Sequence, residues 1–322
     1  MTVTEHAVDE ETATLIEAVA IAAERADGGA PLGEQPPRAL RSPAAGDVRH
    51  LLVRDGGDGG DTRIVGYAQL AGRGGEATAE LVVDPGHRRR GVGSDLVRAV
   101  YQREPGAAVW AHGDLPAARA LAVAEGLTRT RELLKMRRRA ASAPPLPEAP
   151  PPVGVETGTL ADAASEGGSR WPGLDARAEF LRVNNAAFSW HPEQGGWTPD
   201  RLDERLGVDW VDPAAIFLAV DTAGPRPRLA GFHWTKTVVP DPGPAGKGEA
   251  VEGEVYVVAV DPADQGRGLG GSLTALGVAH LEEVNGVESV VLYVEGDNAA
   301  AIRTYERLGF TVELRDVTYT RV

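Results

Sequence analysis

VAVDPADQGRGLGGSL, residues Val258–Leu273, aligns without a gap on LVVDPGHRRRGVGSDL, residues Leu81–Leu96. Asp261 falls on Asp84, Pro262 on Pro85, Arg267 on Arg90, Gly268 on Gly91 and Gly270 on Gly93. The offset, 261 − 84 = 177 residues, is the length of a duplicated domain rather than of a short solenoid repeat. In each copy the apolar residues before Asp-Pro read as a strand, and the apolar spacing after the glycines (Leu269, Leu273, Leu276 and Val284 in the second copy) reads as a helix of about four turns. Glycines between them let successive backbone N–H groups converge with no Cβ in the way, and the following helix N-terminus adds unpaired donors. Strand, glycine turn and helix therefore make a cradle for a phosphate. Arg267 is expected to add a formal charge beside it.

The surroundings repeat as well. His50–Val53 and Arg63–Leu70, then Ile216–Asp221 and Leu229–Thr235, read as antiparallel strands ahead of the motif. Ala77–Val83 and Glu254–Val260 enter the turn. A short strand follows the helix (Ala108–Ala111, Ser289–Val294), and a second helix closes at Gly126 or Gly309. The fold class is α/β with a mixed sheet, twice over. ASAPPLPEAPPP, residues 141–152, cannot continue a helix and reads as a semi-rigid linker. The expected domains are 1–140 and 153–322.

Composition limits what such a chain does. Its 322 residues, 42% hydrophobic and 25% charged, suit two soluble domains. A net charge of −14 argues against nucleic acid or an anionic membrane as partner. With no cysteine there is no disulfide, thiolate metal site or cysteine nucleophile. The acidic start, MTVTEHAVDEE, lacks the pattern of a signal peptide, and Thr14–Ala23 is too short to span a bilayer. A cytoplasmic protein is expected. The spacing of His191, His233 and Trp234 gives no metal-ligand set.

Gln265-Gly-Arg-Gly-Leu-Gly270, and Arg88–Gly93 in the first copy, resemble the pyrophosphate loop of the GNAT acetyltransferases. Asn298-Ala-Ala-Ala-Ile-Arg-Thr-Tyr305, closing in Gly309-Phe310, resembles the last helix of the same family. The resemblance implies acetyl transfer from acetyl-CoA to an amine. An α-amine, with a pKa of about 8, must lose a proton before attack, and the departing thiolate gains from a donor. Glu254, on the strand where GNAT enzymes hold their base, and Tyr305, at the position that abuts the CoA sulfur, are the candidate base and acid. Period-two alternation puts Glu254 and Tyr256 on one face. On the same alignment the first copy has Ala77, Ala122 and Leu115 in place of Glu254, Tyr305 and Asn298. It reads as non-catalytic, with Glu76 and Glu80 expected on the opposite face from position 77.

FLRVNNAAF (Phe180–Phe188), HPEQGGWT (His191–Thr198) and GFHWTK (Gly231–Lys236) extend the resemblance to the mycothiol synthase family of tandem-GNAT enzymes of actinobacteria. That resemblance implies transfer to the cysteinyl α-amine of cysteinyl-glucosaminyl-inositol, a pseudo-disaccharide; no metal is expected, and pseudo-two-fold packing of the two copies would make a monomer sufficient. Another amine, a peptide N-terminus or an aminoglycoside, is the alternative acceptor, and a non-enzymatic acyl-CoA sensor is a third reading. The resemblance implies that Glu34, Glu193, Lys236, Glu254 and Tyr293 contact the acceptor. It implies acetyl-CoA contacts at Leu81, Val82 and Val83, and at Arg88, Arg89, Arg90, Gly91, Val92 and Gly93. In the second copy these are Val258, Ala259 and Val260, then Gln265, Gly266, Arg267, Gly268, Leu269, Gly270 and Gly271. Asn298, Ala299, Ala300, Ala301, Ile302 and Arg303 complete the set. The loop between Lys236 and Glu254 is longer than the family pattern.

Overall fold

In the computed structural model the described residues are 2–33, 35–41, 47–56, 62–164, 168–189, 194–238 and 251–321. They pack as two units. The first comprises Met1–Leu134, Glu295–Asp297 and Leu314–Val322; the second comprises Lys135–Val294 and Asn298–Glu313.

The first unit begins with β1 (Val3–His6), α1 (Glu10–Asp27) and α2 (Gln35–Arg41). Asp9 caps α1 by accepting from the Thr12 N–H, and Gly28 ends it in the left-handed region, φ +78°. The strands β2 (Val48–Gly56), β3 (Thr62–Ala71) and β4 (Thr78–Val83) form the antiparallel meander that alternation predicts. After the glycine turn come α3 (Val92–Arg103), β5 (Ala108–Ala111), α4 (Pro116–Ala124) and β6 (Thr128–Arg139). β5 runs parallel to β4, which makes the sheet mixed. Two cores cover its faces: Leu51, Val65, Leu70, Leu96 and Val100 under α3, and Ile16, Leu52, Ile64 and Tyr67 under α1.

The second unit repeats this with its own decoration: β7 (Val155–Thr159), α5 (Leu160–Ala163), α6 (Ala176–Ala187), α7 (Pro199–Leu206), β8 (Ile216–Asp221), β9 (Arg228–Val238) and β10 (Glu252–Val260). Next come α8 (Leu269–Ala279), β11 (Ser289–Glu295), α9 (Ala299–Arg307) and β12 (Thr311–Thr320). The part of β12 in the first unit pairs antiparallel with β5, Thr318 opposite Trp110. Under α6, Phe180 stacks on Phe232 with ring centroids 3.8 Å apart and meets Trp234 edge-on at 6.0 Å. Such aromatic pairs add about 1 kcal/mol each beyond their buried area.

One glycine pair explains how each glycine turn is seated. Gly66 stands opposite Val83, and Gly231 stands opposite Val260. A Cβ on Gly66 would lie 2.5 Å from Val92 Cγ1; one on Gly231 would lie 2.7 Å from the Ala259 carbonyl oxygen and 3.0 Å from Leu273. Only glycine lets the helix after the turn approach the sheet so closely.

The predicted helix face of the second copy holds for Leu269 and Leu273, both buried, but fails at Val284, which is 72% exposed. From His280 to Val284 the chain widens into a π turn, with the Asn285 N–H donating to the His280 carbonyl. The wider turn shifts the register of everything after it.

Candidate active site

The two glycine turns share their construction. Asp84 and Asp261 each turn a side-chain oxygen back to accept from the N–H two residues on, Gly86 at 2.8 Å and Ala263 at 3.0 Å. Burial alone would raise both carboxyls, yet both lie below the ordinary range. Hydrogen bonds from Gly86 and His87 with Arg63 nearby hold Asp84 down, and Arg182 with the Ala263 N–H does so for Asp261. Gly91 and Gly268 cap the following helices in the left-handed region, φ +88° and +85°, with open space where a Cβ would be. Gly266 is left-handed too, φ +80°, and the position aligned with it holds Arg89 at φ +62°. A non-glycine residue there costs about 1–2 kcal/mol.

Two of the arginines in these turns are paired with carboxylates. Arg267 turns its guanidinium onto Asp264 and to 3.2 Å from Asp221, and Arg88 makes a double hydrogen bond to Asp27, both at 2.7 Å. Backbone N–H groups and the helix end give each cradle a positive field that does not depend on these two side chains.

Beside each turn the parallel strands part. β10 pairs with β11 only from Glu252–Ser289 to Glu254–Val291, while β4 pairs with β5 up to Glu80–Trp110. Measured back from the start of each turn, the split opens at 265 − 254 = 11 residues in the second unit and 88 − 80 = 8 in the first. At about 3.3 Å per residue the first unit's open edge is about 10 Å shorter. The open side of Val258, Ala259 and Val260 suits the amide-rich arm of CoA, which can pair with a strand edge as a peptide does. In the first unit Leu81, Val83, Val92 and Gly93 line a cavity of about 470 Å³ that runs to Trp110, His112 and Tyr319.

Glu254 stands at the mouth of the second split. It faces Lys236 across the β9–β10 register, with Lys236 Nζ 3.4 Å from Glu254 Oε2. A bulge between Val255 and Val257 makes Tyr256 the extra residue in the pairing with β9. Tyr256 stays on the Glu254 side: Lys236 Nζ lies 5.7 Å from its ring. Tyr305, on α9, meets Phe310 edge-on, and burial pushes its phenol up to about 12. Asn298 caps α9 by accepting from the Ala301 N–H at 3.1 Å. Tyr293 lies on β11, 48% exposed, with Lys135 Nζ 6.0 Å from its ring. Glu34 and Glu193 lie outside the described residues.

At the aligned places of the first unit, Ala77 and Ala122 are buried and Leu115 caps α4 with no side-chain hydrogen bond. Glu80 does lie on the other face from Ala77. It accepts from the Gly33 N–H at 2.6 Å and lies 3.0 Å from His112 Nε2, while Asp316 Oδ2 lies 3.3 Å from His112 Nδ1. Burial alone would lower His112, but these two carboxylates outweigh it and raise it to about 9. This Glu–His–Asp cluster was not legible in the sequence, because Asp316 arrives from the far end of the chain.

Among the described residues no group of three or more His, Asp or Glu could hold a metal ion, and no helix is long and apolar enough to cross a membrane.

Comparison with known proteins fits this geometry. Residues 184–310 match the acetyltransferase (GNAT) family and residues 47–124 a GNAT acetyltransferase domain. A GCN5-related N-acetyltransferase from Sphaerobacter thermophilus has the same fold, with a TM-score of 0.69 at 22% identity over 98% of this chain and 94% of that one. A tandem GNAT protein from the clavulanic acid biosynthesis pathway gives 0.64 at 20% identity, over 99% and 98%. In sequence, the mycothiol acetyltransferase of Mycobacteroides abscessus is 47% identical over 94% of this chain and 93% of its own length. That of Nocardia farcinica is 46% identical over 97% and 95%. The chain belongs to the mycothiol acetyltransferase family, and it is a tandem-GNAT acetyltransferase.

Proposed function

We propose that the second unit transfers the acetyl group of acetyl-CoA to the cysteinyl α-amine of cysteinyl-glucosaminyl-inositol. The observation that carries this reading is Glu254, held by Lys236 where β10 and β11 part, against Ala77 in the first unit. Glu254 takes a proton from the bound ammonium through water, so that an N–H bond breaks and a carboxyl O–H forms. Backbone N–H groups of Val258, Ala259 and Val260 polarise the thioester carbonyl as the amine nitrogen bonds to its carbon and the C–S bond breaks. Tyr305, protonated at neutral pH and more so for its burial, gives its proton to the departing thiolate, and the acylated nitrogen loses its second proton, which restores the Tyr305 hydroxyl through water. Glu34, Glu193, Lys236 and Tyr293 contact the acceptor, whose hydroxyls suit carboxylate acceptors and an ammonium donor.

In this reading the turn Gln265–Gly271 and residues Asn298–Arg303 hold the donor. The first unit also holds acetyl-CoA but does not turn it over. Residues 1–140 and 153–322 are the two inherited domains, joined by 141–152. Base and acid come from one unit, so a monomer suffices, and the enzyme works in the cytoplasm.

Acetyl-CoA turnover, followed by release of free CoA thiol, tests the reading with the pseudo-disaccharide against a panel of simple amines, a peptide N-terminus and an aminoglycoside. Strong selectivity for cysteinyl-glucosaminyl-inositol is expected. Comparable rates on unrelated amines would leave acetyl transfer and remove this acceptor.

A further inference from the structure

Lys236 does more than face Glu254. Its Nζ lies 5.4 Å from the centroid of the Trp210 ring as well as 5.7 Å from that of Tyr256. Trp210 and Tyr256 meet edge to face at 5.1 Å, and buried Trp234 lies 5.9 Å from the first ring and 5.4 Å from the second. Arg205 Nη1 donates to the Tyr256 hydroxyl oxygen at 3.3 Å and lies over Trp197, which ties the Tyr256 ring to α7. Two aromatic rings and one carboxylate around an ammonium make the composition of a cation-binding cage. Here the cage holds the enzyme's own side chain.

An ion pair alone does not account for this arrangement. A partly exposed lysine–carboxylate pair contributes little to stability and needs no aromatic walls. A lysine side chain that merely covers apolar surface keeps its ammonium in water, whereas Lys236 holds its charged end over both rings. Lys236 also reaches the cage on a flexible four-carbon stem, so it can leave without any backbone movement.

We propose that Trp210, Tyr256 and Glu254 form the subsite for the acceptor's primary ammonium group, and that Lys236 occupies this subsite as a placeholder until an acceptor displaces it. The inference rests on the reading of Glu254 as the base of an amine acetylation. An α-amine with a pKa of about 8 arrives mostly charged at neutral pH, so it is first bound as a cation. The rings and the carboxylate favour that cation. Once Glu254 has taken the proton, the neutral amine loses the attraction to the rings and is released towards the thioester. Before that, Lys236 holds its positive charge beside Glu254, 3.4 Å away, and the subsite is closed to a stray cation. When displaced, Lys236 is free to donate to acceptor hydroxyls, consistent with a lysine that also contacts the acceptor.

The test separates a placeholder from a simple contact. L-Cysteinamide carries the cysteinyl α-amine and no sugar hydroxyls, and its binding to the full chain is followed by ligand-observed NMR titration at neutral pH. Lys236→Met, and independently Lys236→Gln, are expected to bind cysteinamide about tenfold more tightly than the unmodified chain. Adding Trp210→Leu to Lys236→Met should abolish that gain while acetyl-CoA binding, which checks the fold, is unchanged. Trp210→Phe in the same background should keep most of it. Equal or weaker cysteinamide binding by both lysine variants overturns the proposal. Tighter binding by them, in an enzyme that fails to acetylate cysteinyl-glucosaminyl-inositol, would support the ammonium subsite and remove the pseudo-disaccharide as acceptor.

Discussion

At the strand position eleven residues before the glycine turn, the second unit has Glu254 facing a lysine, and the first has Ala77, 1% exposed in its core. At the turn itself and beside it, the units agree: an aspartate folded back on its own backbone, a left-handed glycine cap, and a glycine on the neighbouring strand under the helix. The difference teaches where each kind of constraint sits. The shared features fix the backbone, by a side-chain cap, a left-handed glycine or a close approach under the helix, so losing them costs the fold. The differing features are side chains at the open mouth of the strand split, whose loss costs only chemistry. In the first unit that mouth has moved about 10 Å towards the turn and is filled by Glu80, His112 and Asp316.

The comparison is broken most severely at its shared part. Gly66→Ala and Gly231→Ala each force a methyl into space already held by Val92 or by the Ala259 carbonyl, and each should destabilise by about 2–3 kcal/mol in denaturant unfolding. A loss under about 0.5 kcal/mol at either would show that the helix simply moves aside.

The two units should respond to pH in opposite directions. His112 is raised to about 9 from 6.5, so its contribution is complete below about pH 6.5 and lost as pH rises towards 9. His233 is fully buried, its Nδ1–H donating to the Leu273 carbonyl at 2.8 Å, and burial lowers it to about 4. Its contribution is complete above about pH 6.5 and lost as pH falls towards 4. Hydrogen exchange, corrected for intrinsic rates, should therefore show the first unit loosening in alkali and the second in acid. Each change is on the order of 2–3 kcal/mol. His112→Gln should remove the alkaline change alone; a first unit equally stable at pH 6 and pH 9 would contradict the assignment.

Tyr305→Phe sharpens the comparison at the acid position. A thiolate is a good leaving group, with a thiol pKa of about 8.5, so losing its proton donor should lower kcat by about tenfold and leave KM for acetyl-CoA within twofold. Unchanged kcat would assign Tyr305 to packing against Phe310. The smallest effect concerns strain: Arg89→Gly relieves a left-handed arginine where the second unit already has Gly266, and should stabilise the first unit by about 1 kcal/mol.

Much of this was written locally in the sequence. The glycine turns and their flanking strands and helices follow from residues within about twenty positions of one another, and the duplication from the repeat of that local pattern 177 residues on. Glu254 and Tyr305 were legible by their place relative to those turns. What was not legible depends on distant residues. Asp221 captures Arg267, Asp27 captures Arg88, and Trp210 reaches Tyr256 and Lys236 from a separate segment. The π turn after Ala279 breaks the period on which pattern reading depends. Gly277, an unfavourable residue within a helix, is explained by His233: a Cβ there would lie 2.1 Å from its ring.

The central claim is that chemistry resides in the second unit and depends on Glu254. Its most direct test is the rate of CoA release by Glu254→Gln with cysteinyl-glucosaminyl-inositol at neutral pH, acetyl-CoA binding being measured in parallel. The account predicts a fall in kcat of about 10²–10⁴-fold with donor affinity intact. A rate within threefold of the unmodified enzyme would contradict it, and would place the base elsewhere.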